Sequence, residues 1–138
     1  MRFQGGFLLI LAVLLVLPAC NRDPKAASER YVDIGNKYFA REKYKEASIL
    51  YRKALQKDLK NSAAYYRLAL VDLKTRQFSD AARWLQRSVQ LDPHNADATA
   101  KLADLFLASY LQNPEKRKGE LADVKSLSAS LLKMDPKS

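Results

Sequence analysis

The sequence has few of the residues on which most enzyme sites depend: one histidine and one cysteine among 138 residues. A single cysteine excludes an internal disulfide, and the pair is too small a set for a zinc site. His94 falls in a predicted turn, Asp92-Pro93-His94-Asn95, so we interpret it as a turn residue rather than a catalytic one. The fifteen Asp and Glu residues single out no catalytic pair. We therefore expect no enzymatic activity, no metal site and no cofactor.

Glycine and proline are also scarce, with four and five residues respectively, while Ala, Leu, Lys, Glu and Gln are abundant. This composition favours helices and argues against a turn-rich sandwich or barrel, so we expect an all-α protein. The formal net charge of +9 is moderate and spread along the chain. Its short basic runs fall in predicted turns, so a solvated helical exterior accounts for the charge and nucleic acid is not an expected partner.

The first twenty residues follow the pattern of an export signal. Arg2 supplies a positive charge, Phe7 to Leu17 form an uninterrupted apolar run, and Ala19 is a small residue at the end of that run. As a helix the run would rise only about 16 Å, against about 30 Å of hydrocarbon in a bilayer. A cleaved signal-peptide helix is therefore a better interpretation than a permanent membrane span.

The four residues Leu17-Pro18-Ala19-Cys20 resemble the lipobox of bacterial lipoproteins, with Pro18 as the imperfect match. The resemblance implies that residues 1–19 are a removed lipoprotein signal peptide. It also implies that the Cys20 thiol carries a diacylglycerol and that residues 20–23 form a lipidated tether. An ordinary secretory signal beside an incidental cysteine is the alternative. If the source is Gram-negative, the resemblance to lipoprotein sorting rules implies that Asn21 after the cysteine favours the periplasmic face of the outer membrane over the inner membrane.

Residues 34 positions apart match repeatedly along the chain. The matched pairs include Tyr31 with Tyr65, Ala47 with Ala81, Leu55 with Val89, Asp58 with Asp92, and Asn61 with Asn95. So many matches at one offset indicate an internal repeat.

These residues resemble the tetratricopeptide-repeat (TPR) pattern of W-x2-L-G-x2-Y, then A-x3-F, then P. The first copy carries Tyr31, Ile34, Gly35, Tyr38, Ala47 and Tyr51, and the second carries Tyr65, Leu68, Ala69, Ala81, Leu85 and Pro93, with Asp72 in place of an aromatic residue. A third copy has Leu102, Ala103 and Phe106, but its second half is displaced by nine residues. The resemblance implies a TPR domain over residues 24–138, with repeats at about 28–61 and 62–95 and a degenerate third at 96–136.

The TPR resemblance implies antiparallel helix pairs stacked into a short right-handed solenoid. We expect helices near 24–41, 44–57, 61–75, 78–91, 95–112 and 118–134. Small residues allow the two helices of a pair to approach closely, and larger ones fill the space between pairs. The small residues are Gly35, Ala47, Ala54, Ala69, Ala81 and Ala103.

In TPR proteins the first helix of each pair lines a groove that binds other proteins. Here the resemblance places in that groove Val32, Asn36, Phe39, Tyr66, Leu70, Leu73, Lys74, Asp104 and Leu107, with Phe39, Tyr66 and Leu73 as anchors. The groove departs from the carboxylate clamps that hold chaperone tails, because Val32, Leu70 and Asp104 replace required polar or basic residues. We expect an apolar helix or extended segment of an envelope protein as partner, and no small-molecule substrate.

Three functions are open at this point. The first is a membrane-anchored interaction scaffold or assembly factor of the bacterial cell envelope. The second is the N-terminal part of a longer TPR lipoprotein, because Met134-Asp135-Pro136 resembles the junction at Leu91-Asp92-Pro93 after which a further helix normally follows. The third is an envelope enzyme or a cell-wall ligand binder that uses the basic exterior.

Overall fold

The computed structural model describes residues 23–135 as six helices, with no strand among them. The helices are α1 (Pro24–Phe39), α2 (Tyr44–Lys57), α3 (Ser62–Lys74), α4 (Phe78–Leu91), α5 (Ala96–Gln112) and α6 (Lys118–Met134). The most extensive packing lies within the pairs α1–α2, α3–α4 and α5–α6, and α2–α3 and α4–α5 join one pair to the next. The expected all-α solenoid of helix pairs is confirmed. Within residues 23–135, no helix combines the length and apolar character that a membrane crossing requires.

The start of the first helix in each pair is fixed by a side-chain cap. The Asp23 carboxylate accepts a bond from the Lys25 amide at 3.0 Å, and Pro24 occupies the first turn, as the sequence predicted. Asn61 accepts from the Ala64 amide and Asn95 from the Ala98 amide, both at 2.9 Å. The repeat therefore preserves the hydrogen bond that starts each of these helices.

The turns inside the first two pairs are also copies of each other. After α1, the Lys43 amide donates to the Tyr38 carbonyl and the Glu42 amide to the Phe39 carbonyl. This is a Schellman ending, and it holds Glu42 at a φ of 59°. The equivalent residue after α3, Arg76, has a φ of 62°. Glycine is the residue favoured in this left-handed conformation, so the Cβ atoms of Glu42 and Arg76 strain the backbone of the two turns.

Small residues form the centre of the solenoid. Ala47, Ala54, Ala69 and Ala81 are completely buried, which confirms their predicted role in close helix approach. Gly35 has the same role, because a Cβ built on it would lie 2.5 Å from Cε1 of Tyr51. Two clusters surround these residues, one between the first two pairs and one between the second and third.

The third pair is longer and less buried than the other two. Helix α5 has 17 residues where α3 has 13, and α6 has no fully buried residue. Leu127 is the residue through which α6 packs against the second core cluster. The lengthened link that the displaced third repeat predicted is present, with α5 running to Gln112 and a loop separating it from Lys118.

Candidate functional site

The predicted groove residues lie on the first helices of the three pairs. These helices are neighbours: α1 packs against α3, and a side-chain hydrogen bond joins α3 to α5. Helix α1 carries Val32, Asn36 and Phe39, helix α3 carries Tyr66, Leu70, Leu73 and Lys74, and helix α5 carries Asp104 and Leu107. We call the shared face of α1, α3 and α5 the groove.

The α1 part of the groove is largely engaged in the protein's own packing. Val32 is 8% exposed and belongs to the first core cluster, so it offers a partner little surface. The Asn36 side-chain oxygen accepts a hydrogen bond from the Tyr51 hydroxyl at 3.0 Å. Phe39 is half-buried and meets the Tyr44 ring edge-on, with 5.3 Å between ring centroids. These three side chains therefore serve mainly to pack α1 against its neighbours.

The Tyr51 hydroxyl is the polar end of a fully buried side chain. Burial raises the pKa of Tyr51, and the opposing charge of Arg67 limits the rise. The neutral phenol therefore persists well into alkaline conditions and keeps donating to Asn36. Since the bond joins α2 to α1, it holds the groove residue Asn36 in position.

Tyr66 joins the second and third pairs across the groove. Its hydroxyl donates to the Asp97 carboxylate at 2.8 Å, and the Arg67 guanidinium lies 5.9 Å from the centre of its ring. Burial, followed by the hydrogen bond to Asp97, raises the pKa of Tyr66 to about 12. The ring is therefore held in one position, which suits it as a rigid contact for a partner.

The remaining groove residues form an apolar strip with a charge of each sign beside it. Leu70 and Leu73 are half-buried, and Leu107 is 40% exposed. Lys74 and Asp104 are exposed. An arrangement of this kind can hold apolar side chains of a helix or extended segment, while the two charges orient its polar groups.

At the α1 end of the groove, a cleft of about 460 Å³ lies between α1 and the start of α3, and Val32 is among the residues that line it. Glu29, Asp33 and Asp58 line it together with two lysines, Lys25 and Lys60. The carboxylates here show no convergence on one point: over residues 23–135, no group of three or more His, Cys, Asp or Glu side chains is placed to hold a metal ion. His94 lies exposed in the turn between α4 and α5, in the position predicted for it.

The sequence indicated Asp72 only as a departure from the repeat pattern, and the structure explains that departure. Asp72 is 5% exposed, and its carboxylate accepts a bond from the Trp84 indole at 2.9 Å. Burial raises the pKa of Asp72, while the Trp84 hydrogen bond opposes the rise. The repeat pattern expects an aromatic side chain at position 72. Here a carboxylate occupies that position and binds the Trp84 ring of the neighbouring helix α4. The exchange of an aromatic for a carboxylate was the one sign of this bond in the sequence.

Cys20, the predicted lipid-attachment residue, lies outside the described residues, as does the predicted signal peptide. Its assignment stays a prediction.

Comparison with known proteins supports the fold. A family model described as the tetratricopeptide repeat matches residues 38–105. The chain aligns with the first TPR of Spaghetti (RPAP3), solved with the HSP90 peptide SRMEEVD, at a TM-score of 0.68 and 23% identity, covering 83% of each chain. No curated protein matches the chain significantly.

Two further solved structures have the same fold. A thermophilic TPR protein of Thermus thermophilus aligns at a TM-score of 0.65 and 24% identity, over 81% of this chain and 59% of that one. The Arabidopsis OM64 TPR domain aligns at a TM-score of 0.64 and 19% identity, over 83% and 88% respectively. The described residues therefore form a TPR-like helical solenoid, and residues 38–105 match the tetratricopeptide-repeat model.

Proposed function

We propose that this chain is a lipid-anchored TPR scaffold of the bacterial cell envelope, and that its groove binds an apolar segment of a partner protein. The TPR fold favours an interaction module over an enzyme. The observation that supports the groove most directly is the apolar strip of Leu70, Leu73 and Leu107 beside the fixed ring of Tyr66. The lipobox resemblance at Cys20 supports the anchor.

The solved TPR domain of Spaghetti holds a peptide that ends in EEVD, which is acidic. An acidic tail is a poor match for this groove, because Asp97 and Asp104 lie exposed on α5, and Glu29 and Asp33 lie exposed on α1 where they line the cleft at the α1 end of the groove. We therefore propose a partner segment that is apolar and carries little negative charge.

The groove is tested by affinity capture from detergent-solubilised envelope, comparing the wild type with Leu107→Asp. Leu132→Asp is the matched control, because Leu132 is 57% exposed on α6, outside the groove. We expect Leu107→Asp to lose partners that both the wild type and Leu132→Asp retain, with all three showing the same helical circular dichroism. An identical partner set for all three proteins would refute the groove assignment.

The anchor is tested separately by mass spectrometry of the protein isolated from its native membrane. We expect a mature chain that starts at Cys20 and carries the mass of a diacylglycerol. An unmodified Cys20, or a start elsewhere, would refute the anchor and leave the groove proposal standing.

A further inference from the structure

Beyond their first turns, which carry Glu46 in α2 and Asp80 in α4, the second helices of the first two pairs share a one-sided charge pattern. Over residues 47–57 of α2 and 81–91 of α4, every charged residue is basic. They are Arg52, Lys53, Lys57, Arg83 and Arg87, and all five are exposed. We call these five residues, with the half-buried Trp84, the basic face.

Aromatic rings make the basic face continuous across the two helices. Trp84 of α4 stacks on Tyr65 of α3, with ring centroids 6.0 Å apart and an interplanar angle of 28°. The Arg52 guanidinium of α2 lies 5.8 Å from the Trp84 ring, and Arg87 lies 6.0 Å from the Tyr65 ring. Two cations from different repeats are therefore held side by side over one aromatic pair.

Four of the five cations of the basic face form no salt bridge within residues 23–135, although the buried Asp72 carboxylate interacts electrostatically with Arg52 and Arg83. Within residues 23–135, neither Arg52 nor Arg87 forms a salt bridge: Arg52 contacts the Ser48 hydroxyl and Arg87 the Gln90 amide oxygen. Arg83 is paired with Asp80. Stacked guanidinium groups still present N–H groups at their edges, so they can donate to phosphate oxygens.

We infer that the basic face docks on the surface of an anionic phospholipid bilayer. Each Lys or Arg close to an anionic membrane contributes about 1 kcal/mol of attraction. Tryptophan is also favoured at the level of the headgroups. Trp84 is half-buried with its indole N–H bonded to Asp72, and Tyr65 is only 8% exposed, so the five exposed cations carry most of the match to that surface.

The position of the chain's N-terminal end favours a bilayer over an acidic protein as the occupant. Lys57, at the end of α2, lines a cleft with Pro24, Arg30 and Tyr31 at the beginning of α1. Cys20 is four residues before Pro24, so even a fully extended backbone would keep the attachment point of an acyl chain within about 14 Å of that end. This step alone rests on the proposed anchor, whereas the charge and aromatic arguments do not.

The chain contains one tryptophan, and it lies in the basic face, so its fluorescence reports docking directly. The experiment mixes the full chain, prepared without an acyl group on Cys20, with vesicles of phosphatidylcholine alone or with added phosphatidylglycerol, each with brominated acyl chains as quencher. We expect Trp84 emission to shift to the blue and to be quenched on the anionic vesicles only, and to recover as salt is raised. Unchanged emission on the anionic vesicles would overturn the inference, and so would an equal response on neutral ones.

Charge-neutralising variants locate the effect. For the chain without an acyl group, Lys53→Gln with Lys57→Gln is expected to weaken partitioning onto anionic vesicles on the order of 30-fold, from two contributions of about 1 kcal/mol. Lys125→Gln with Lys133→Gln removes the same charge from α6 and is expected to change it by less than about 3-fold. Equal losses in the two pairs would overturn the basic face, because net charge alone would then explain the binding.

The same vesicles separate this inference from the anchor. Binding to neutral vesicles that depends on an acyl group at Cys20 would support the anchor, and the absence of any added, salt-sensitive binding to anionic vesicles without that group would refute the basic face. Salt-sensitive binding to anionic vesicles by a chain that proves unmodified at Cys20 would support the basic face and refute the anchor. Capture of acidic proteins without any response to anionic lipid would also refute the bilayer as occupant.

Discussion

Replacing Gly35 by alanine tests the close approach on which the first helix pair depends. The new Cβ would lie 2.5 Å from Cε1 and 2.8 Å from Cδ1 of Tyr51. Real Cβ atoms do not tolerate such contacts, so one of the two helices or the ring must move. The ring has little freedom, because Tyr51 is fully buried and its hydroxyl is bonded to Asn36 at 3.0 Å. Overpacking is therefore expected at this position.

The magnitude follows from two opposing effects. Overpacking a buried contact costs about 1–3 kcal/mol, and two clashing ring atoms place this one in the upper half of that range. Alanine recovers about 1 kcal/mol over glycine from helix propensity. The net loss in free energy of unfolding is about 1–2 kcal/mol, which lowers the melting temperature by about 5–10 °C. Thermal and urea unfolding followed by circular dichroism measure it.

Two comparisons make the outcome decisive. Gly119 in α6 has no atom within 4 Å of a built Cβ, so Gly119→Ala is expected to leave stability unchanged or raise it by up to about 1 kcal/mol. In a Tyr51→Leu background the ring atoms are absent, and Gly35→Ala is expected to lose its cost in a double-mutant cycle. If Gly35→Ala proves as stable as the wild type, or costs the same with and without the Tyr51 ring, the close-approach argument is refuted.

Three further predictions concern the turns and the buried polar groups. Glu42→Gly is expected to stabilise the fold by about 1 kcal/mol, because Glu42 has a φ of 59°, whereas Lys43→Gly, at a φ of −80°, brings no gain in urea unfolding. Because the folded pKa of Tyr66, about 12, lies above the ordinary tyrosine value of 10.0, its contribution is present below pH 10 and is lost as pH rises toward 12. The stability difference between wild type and Tyr66→Phe, about 1 kcal/mol near neutrality, should shrink across that window, and a constant difference would contradict the assignment. Asp72→Asn is expected to be at least as stable as wild type at neutral pH, since burial raises the carboxyl pKa and so disfavours the charged form. That advantage should fade as acid protonates Asp72, and a growing advantage in acid would be the opposite of what burial predicts.

The helix positions could be predicted from the sequence because they depend on local and periodic features. The 34-residue offset places the small residues Ala47 and Ala81 at equivalent contacts, and capping side chains such as Asn61 and Asn95 identify where helices start. These features need no knowledge of how one pair sits on the next. Each predicted boundary therefore lies within two residues of the observed helix end.

The polar contacts between helices could not be predicted in the same way. The bond from Trp84 to Asp72 and the bond from Tyr66 to Asp97 each connect groups whose separation depends on the rotation of one helix against another. A repeat pattern assigns a residue to a face but not to a partner on the neighbouring helix. For the same reason the sequence placed Val32 in the groove but could not show that the packing of α1 against α2 and α3 leaves it only 8% exposed, at the edge of the cleft that it lines.

Under the proposed function, these contacts change where a partner would bind. Because Val32 is buried and Asn36 is bonded to Tyr51, α1 contributes mainly support, and the surface available to a partner moves to α3 and α5. That surface rests on the third pair, where α6 has no fully buried residue and local stability is therefore the lowest in the solenoid. A partner that contacts α3 and α5 together would hold the third pair in place as Tyr66 and Asp97 do, so binding and folding of this end are energetically coupled. The weakly packed end of the repeat is thus the end at which a partner gains most from the contact.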